Sequence, residues 1–143
     1  MAAPVIEGHC LCGAIRVILL EPKQAVELCH CDMCRRWGGA FYSALSGKDY
    51  RIDGEDKLGV YRSSDWATRD FCTVCGSHIG YSFLPAGTRS FLAGLFDDAH
   101  DLPIEKEIFV DEKPRWCDLS GNHPCQTGAE VIAEAEAAGY SFD

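Results

Sequence analysis

Three cysteines lie within six residues in the segment CHCDMCRRWG, which spans residues 29–38. Cys29, Cys31 and Cys34 are spaced so that one local loop can aim three thiolates at a single metal ion. Zinc takes four protein ligands in a structural site, whereas a catalytic zinc has three protein ligands and one exchangeable position. The segment therefore predicts a zinc site whose fourth ligand decides whether the metal takes part in chemistry.

Two further pairs of cysteines have metal-ligand spacing. In FCTVCG, two residues separate Cys72 from Cys75, and the following Gly76 permits the positive φ of a tight turn. In CLCG, Cys10 and Cys12 occupy positions i and i+2, which point to the same face of an extended segment. Together the two pairs would complete a saturated four-thiolate site, which we expect to be structural.

The fourth ligand of the triplet remains open at the level of sequence. If the two pairs satisfy each other, the triplet keeps an exchangeable position. Alternatively, Cys117 or Cys125 closes the triplet and gives two structural sites. These two late cysteines can also be free buried thiols, which pack as small hydrophobic side chains. An iron–sulfur cluster is disfavoured because the spacings do not follow the usual runs.

Residues beside the triplet are candidates for substrate binding. Arg35 and Arg36 directly follow Cys34 and offer guanidinium groups that bind carboxylates in a bidentate manner, although a solvated surface pair is the alternative. Trp37 is a candidate pocket wall or a core residue. His30 lies between two predicted ligands, where it would orient a thiolate, shuttle a proton or point to solvent.

The composition limits the expected partners and compartment. The 143-residue chain carries a formal net charge of −9, which repels a phosphate backbone, so we expect no nucleic-acid partner. No apolar run reaches the length of a membrane span, and the start lacks the features of a secretory signal. We therefore expect a cytoplasmic protein, in which nine cysteines indicate metal binding rather than disulfides.

Short β-strands must position these clusters. Strands are predicted from β-branched, aromatic and alternating residues at 14–20, 40–46, 58–64, 78–84, 89–96 and 105–110. Helix formers predict one C-terminal helix over 128–139, and 32–37 is predicted as a short helical turn. Turn signals such as SGKD at 46–49 separate the strands. Residues 1–143 are thus predicted as a single all-β domain, and the oligomeric state is left open.

The chain resembles a known family in its three cysteine segments, which read GHCLCGAIRV, CHCDMCRRWGGAF and FCTVCGSHIGY. The family is that of the glutathione-dependent formaldehyde-activating enzymes, which includes centromere protein V. Weaker matches are found in VYRSS, LAGLFDD and IFVDEKPRW, and the resemblance covers about residues 7–120. The chain departs from the pattern at Phe96, where the family often has leucine.

The resemblance implies a β-tent, which is an all-β fold of coiled antiparallel sheets. It implies two zinc ions per chain: a structural zinc on Cys10, Cys12, Cys72 and Cys75, and a catalytic zinc on Cys29, Cys31 and Cys34. The expected function is that of a zinc-dependent carbon–sulfur lyase acting on adducts of glutathione with aldehydes, such as S-hydroxymethylglutathione. The expected partner is a small thiol, glutathione, and its candidate contacts are Arg35, Arg36 and Trp37.

Two other functions fit the same sequence. A non-catalytic zinc-stabilised β module would bind a partner, and its second zinc would be closed by Cys117 or Cys125. A thiol redox enzyme similar to methionine sulfoxide reductases of type B, which share the β-tent, would use Cys117 in RWCDLSGN as nucleophile. Those enzymes hold zinc between two Cys-x-x-Cys pairs, however, whereas this chain begins with a Cys-x-Cys pair.

Overall fold

The computed structural model describes residues 4–142, most of which form β-strands. Within this range the strands are β1 Val5–His9, β2 Arg16–Pro22, β3 Val26–Cys29, β4 Tyr42–Leu45, β5 Gly47–Asp53, β6 Leu58–Arg62, β7 Ala67–Cys72, β8 His78–Phe83, β9 Thr88–Leu92, β10 Ile104–Ile108 and β11 Cys125–Gln126. The helices described there are α1 Asp32–Gly38 and α2 Gly128–Ala137, and neither has the length and apolar character needed to cross a membrane. The expectation about a secretory signal rests partly on residues 1–3, which lie outside this range.

The strands form two sheets. A three-stranded antiparallel sheet has the order β1-β2-β5, and an eight-stranded sheet has the order β11-β10-β3-β4-β9-β8-β7-β6. In the larger sheet, β10 pairs in parallel with both β3 and β11, while the other pairings are antiparallel. The outer strands β11 and β6 are not paired with each other, so this sheet is not a closed barrel. The predicted all-β fold with a C-terminal helix is confirmed, with two parallel pairings in addition.

Most of the predicted elements are confirmed. Each predicted strand overlaps an observed strand, the predicted C-terminal helix corresponds to α2, and the helical turn at 32–37 is α1. The turn predicted at SGKD is wrong, because β5 begins at Gly47. The glycine there allows close packing instead: a Cβ at Gly47 would lie 2.6 Å from the backbone oxygen of Leu20.

The strands β1, β3, β5, β7 and β11 are absent from the sequence prediction. In β7, Arg69 and Asp70 are both buried, which hides the apolar alternation that identifies a strand. In β3, Glu27 interrupts a run of only four residues. Charged side chains on buried or functional faces therefore account for much of what sequence patterning misses.

The core contains side chains from both sheets. Val17 and Leu19 of β2 pack in the same buried cluster as Phe91 of β9, and all three are almost completely shielded from solvent. Cys10 and Cys72 belong to this cluster as well. The first thiol cluster is therefore part of the hydrophobic core and does not lie on a separate surface loop.

The C-terminal segment is held by a capping box and by aromatic contacts. The Thr127 hydroxyl accepts a hydrogen bond from the backbone N–H of Glu130, whose carboxylate accepts one from the N–H of Thr127. After α2, the ring of Tyr140 packs edge-on against Phe83 at a centroid distance of 5.1 Å. The capping box stabilises the start of α2, and the ring contact attaches the residues after the helix to the larger sheet.

Two glycines with positive φ provide a test of backbone packing. Gly54 has φ +87° and a Cβ there would lie 2.1 Å from the backbone oxygen of Ala14, whereas Gly87 has φ +65° and open space around it. We expect Gly87→Ala to lower the free energy of unfolding by about 1–2 kcal/mol through backbone strain alone. Gly54→Ala should add an overpacking cost of about 1–3 kcal/mol. Urea unfolding at matched metal content checks this, and equal losses in the two variants would contradict it.

Candidate functional site

The four cysteines of the two pairs come together in space. The sulfur atoms of Cys10, Cys12, Cys72 and Cys75 all lie within 4.8 Å of one another. The Sγ–Sγ distance is 3.6 Å between Cys10 and Cys12 and 3.8 Å between Cys12 and Cys72. Four soft sulfur ligands at this mutual separation match the donor set of a closed, tetrahedral zinc site.

The two cysteine turns share two backbone features despite their different spacing. Each contains a glycine with φ +80°, Gly13 in the first and Gly76 in the second. In each turn, the backbone N–H of the first cysteine donates to the carbonyl five residues later, over 3.1 Å at Cys10 and 2.8 Å at Cys72. An L residue with a side chain rarely adopts such a φ, so the glycines allow both loops to close.

Hydrogen bonds connect the turns and favour the thiolate form of Cys75. The Ser77 hydroxyl lies 3.2 Å from the Cys75 sulfur and accepts a hydrogen bond from the backbone N–H of Leu11, 3.0 Å away in the other turn. The hydrogen bond from Ser77 lowers the pKa of Cys75 to about 5. Because the thiolate is the form that binds metal, this arrangement prepares the cluster for a cation.

The cysteine triplet forms a second, separate cluster. The sulfurs of Cys29, at the end of β3, Cys31, at the N-cap of α1, and Cys34, in its first turn, lie within 4.8 Å of one another. The backbone N–H of Cys34 donates to the Cys31 sulfur over 3.4 Å. Hydrogen bonds from the Cys29 and Cys34 thiols lower the pKa of Cys31, and the same contact raises the pKa of Cys29. Three thiols this close cannot all ionise without a cation to offset their charge.

The structure places neither late cysteine beside the triplet. Among residues 4–142, no further His, Cys, Asp or Glu atom joins the triplet within 4.8 Å. Cys125 lies instead with His123 and Glu107, and Cys117 is a buried thiol that belongs to no such group of described residues. Among the described residues, the triplet therefore has three sulfur donors and no fourth donor of these types beside them.

A buried arginine that the sequence analysis missed contacts the triplet. Both terminal nitrogens of Arg69, on β7, lie 3.6 Å from the Cys34 sulfur, and the residue is only 4% exposed. Its guanidinium group lies over the rings of Trp37 and Tyr81, at 4.9 and 5.1 Å from their centroids. The sequence carries no local signal for this position, because the adjacent Arg69 and Asp70 are both buried.

The residues predicted to contact glutathione, Arg35, Arg36 and Trp37, do not line the cavity beside the triplet. Arg36 is exposed, with its side chain 3.7 Å from the Asp32 carboxylate, and neither Arg35 nor Arg36 lines the cavity beside the triplet. Successive residues of a helix are rotated by about 100°, so a buried Cys34 turns Arg36 to the opposite face of α1. Trp37 stacks on His78 with 4.2 Å between the ring centroids, and its ring also packs against the guanidinium group of Arg69.

His30 neither points to solvent nor bonds to a thiol. It is fully buried, and its Nε2 atom lies 2.7 Å from the Glu107 carboxylate, which also binds His123. The parallel pairing of β3 with β10 creates this contact, which sequence spacing does not reveal. Burial raises the pKa of Glu107, but the hydrogen bonds from His123 and His30 outweigh it and leave the pKa below its usual value.

A cavity of about 710 Å³ opens in front of the triplet. Its volume is within the range of about 300–1,000 Å³ that is typical of small-molecule sites. At one end it is lined by the three cysteines and by Arg69, Tyr42 and Tyr81. Trp66, Phe83 and Phe142 line it as well. A small molecule in this cavity can contact the thiol cluster and apolar side chains at the same time.

Comparison with known proteins gives consistent matches. Residues 5–112 match the family model described as glutathione-dependent formaldehyde-activating enzyme. An uncharacterized lyase of Schizosaccharomyces pombe is 31% identical over 133 residues, which cover 90% of this chain and 96% of the yeast protein. A Halomonas elongata protein, named as a candidate glutathione-dependent formaldehyde-activating enzyme, is 27% identical over 150 residues, covering 93% of this chain and 95% of its own.

The fold also matches a solved structure. The crystal structure of a Rhodobacter sphaeroides protein aligns with a TM-score of 0.52 and 22% sequence identity. The alignment covers 69% of this chain and 99% of the other. At this identity the similarity concerns the arrangement of the strands.

The buried carboxylate of Glu107 leads to a prediction about how the free energy of unfolding depends on pH. With its pKa lowered, folded Glu107 keeps its charge where a glutamate of the unfolded chain, with a pKa of about 4.3, takes up a proton. Its contribution is complete above that value and is lost as the pH falls through the folded-state pKa. We expect Glu107→Gln to lower the free energy of unfolding by about 1–3 kcal/mol at pH 7. The difference from wild type should shrink below pH 4.

Urea unfolding from pH 7 to pH 3.5 measures this difference. Glu105→Gln is the matched control, because Glu105 lies on the same strand but is exposed. A Glu107→Gln difference that stays constant across the pH range would contradict the assignment.

Proposed function

Because the chain belongs to the glutathione-dependent formaldehyde-activating enzyme family, we propose that it is a zinc-dependent carbon–sulfur lyase acting on glutathione–aldehyde adducts such as S-hydroxymethylglutathione. The observation that most directly supports this proposal is the cysteine triplet, which lines a cavity and has no fourth ligand among the described residues. The names of the yeast and bacterial relatives support a lyase and a glutathione substrate.

We assign two zinc ions to one zinc-binding domain over residues 1–143. The first is structural and would be held by Cys10, Cys12, Cys72 and Cys75, whose sulfurs supply a complete tetrahedral set. The second would be held by Cys29, Cys31 and Cys34, where the donor set is one ligand short. When bound there, zinc supplies a position that holds a substrate sulfur in its thiolate form.

The charge of the triplet favours thiol activation over carbonyl polarisation. Three thiolates against one Zn²⁺ leave a net charge of −1, and a fourth thiolate makes it −2. Such an electron-rich donor set would favour a nucleophilic substrate thiolate over polarisation of a carbonyl group. The buried guanidinium of Arg69 offsets one unit of this charge through its contact with Cys34.

The reaction itself needs no redox partner. In the breakdown direction, the carbon–sulfur bond of the adduct breaks and the sulfur keeps the electron pair as thiolate. The hydroxyl of the adduct becomes the aldehyde carbonyl and releases its proton to water. The reverse sequence forms the adduct. The thiol-rich chain and its small thiol substrate fit a reducing compartment, so we place the protein in the cytoplasm.

The redox alternative is not favoured by the geometry. It requires Cys117 as an accessible nucleophile, yet Cys117 is 8% exposed and does not line the cavity. A closed second zinc would favour the binding-module alternative, yet no fourth His, Cys, Asp or Glu ligand lies beside the triplet among residues 4–142.

Serine variants of the two clusters should have different effects. Cys31→Ser should reduce the zinc content from two to one per chain and abolish the acceleration of adduct formation, with little loss of stability. Cys72→Ser should instead lower the free energy of unfolding by more than about 3 kcal/mol, because a structural zinc contributes folding energy directly. Elemental analysis, urea unfolding and exchange NMR of glutathione with formaldehyde measure the three quantities.

Cys117→Ser is the matched control, since it removes a buried thiol outside both clusters. It should keep both zinc ions and full activity. No acceleration by the wild-type protein, or equal acceleration by Cys31→Ser, would contradict the proposed function.

Arg69 variants test the charge balance at the triplet. Arg69→Met removes a charge-assisted contact of about 1.5–3 kcal/mol, so adduct formation at pH 7 should slow by roughly 10- to 100-fold. The pH at which half of the activity appears should also rise, because the thiolates lose a stabilising cation. Arg69→Lys keeps the charge and should recover part of both effects. If the pH profile is unchanged in Arg69→Met, the residue has only a packing role.

A further inference from the structure

The end of the cavity formed by Trp66, Phe83 and Phe142 is aromatic. The ring of Phe142 lies 5.3 Å from that of Trp66 and 6.2 Å from that of Phe83, centroid to centroid. All three are half-buried and line the same cavity as the cysteine triplet. We call this set the aromatic end. A polar one-carbon group leaves such a surface uncovered, whereas an apolar group would bury it.

Part of the cavity wall comes from the C-terminal part of the chain. Val131, Ile132 and Ala135 of α2 line the cavity together with Phe142. All of these residues follow residue 112, where the match to the family model ends. The end of the cavity at the cysteine triplet therefore lies within the matched region, while part of the apolar wall comes from residues 131–142.

The charges of the wall do not suit an anionic ligand at the aromatic end. The cations that line the cavity are Arg69 and Arg89. Arg69 is engaged with Cys34, and Arg89 binds the buried Asp70 carboxylate at 2.5 Å. Glutathione carries two carboxylates, whose burial without a partner is costly. The group that fits the aromatic end is therefore the part of the adduct that comes from the aldehyde.

We propose, on the basis of the proposed function, that the preferred substrates are glutathione adducts of aldehydes with a medium-length alkyl or an aromatic group. The sulfur lies at the triplet, and the aldehyde's apolar group occupies the aromatic end. The carbon–sulfur bond breaks, the sulfur keeps the electron pair, and the carbonyl forms as the hydroxyl proton passes to water. No oxidant or reductant is needed, because the aldehyde is released at its original oxidation level.

Unreactive thioethers test the binding preference in the zinc-loaded protein. S-hexylglutathione and S-methylglutathione differ by five methylenes and have the same charges. Since each buried methylene favours binding, we expect S-hexylglutathione to bind at least tenfold more tightly by calorimetry. Equal affinities for the two thioethers would overturn the inference.

Variants of the aromatic end locate the preference. Phe142→Ala and, on α2, Ile132→Ser should each reduce the S-hexyl over S-methyl affinity ratio by at least threefold. Tyr61→Ala is the matched control, because Tyr61 is exposed on β6 and does not line the cavity. An unchanged ratio in both Phe142→Ala and Ile132→Ser would place the apolar group elsewhere and overturn the assignment.

Turnover separates this inference from the proposed function. Exchange NMR compares the formation of the glutathione adducts of hexanal and formaldehyde, each relative to its uncatalysed rate. A larger acceleration for hexanal supports the inference. Acceleration for formaldehyde but not for hexanal overturns the inference and leaves the proposed function standing. No acceleration for either aldehyde overturns the proposed function and, with it, the inference.

Discussion

Like charges in a protein interior require compensation, and this constraint organises the whole molecule. Seven cysteine sulfurs are gathered in two clusters, and Cys10, Cys72 and Cys34 are almost fully buried. As thiolates these groups repel one another, whereas as protonated thiols they are poor metal ligands. A bound cation would resolve the conflict. The first cluster also connects the β1–β2 turn to the end of β7, so a cation there would join the two sheets.

The second cluster depends on pairing between distant strands. Cys29 ends β3, and the parallel neighbour β10 brings Glu107 to His30 immediately behind the triplet. On the other side, the antiparallel strands β7 and β8 bring Arg69 and Tyr81 to opposite positions. The triplet therefore has two buried charged neighbours. One is the Glu107–His30 pair, in which His30 lies between Cys29 and Cys31 in the chain, and the other is the guanidinium group of Arg69, which contacts Cys34. Both supports are charged groups that lose solvation, which is tolerated because each has a partner of opposite or polarisable character.

Sequence reasoning succeeds here where the signal is local and fails where it is not. The local spacing of the cysteines predicts the two groups of sulfurs that the structure brings together, because closely spaced cysteines on one turn can reach one point in space. The position of Arg69 is not accessible in this way, since it depends on the register of β7 against β8. Arg35 and Arg36 are adjacent to the triplet in sequence, but the rotation of α1 after Cys34 turns Arg36 outward. Proximity along a helix is thus a poor guide to proximity at a site, and a buried charge within a strand is a better one.

The two ends of the cavity are built by different means, and this has a consequence for specificity. The end of the cavity at the cysteine triplet is formed by paired strands and by α1, so its geometry depends on the register of the larger sheet. The aromatic end is closed by α2 and Phe142, which are held by a capping box and ring contacts rather than by cysteines. Such contacts can be exchanged for others of similar volume at small cost to the fold. Under the proposed function, substitutions in α2 and at Phe142 would therefore change the accepted apolar group without rebuilding the site at the cysteine triplet.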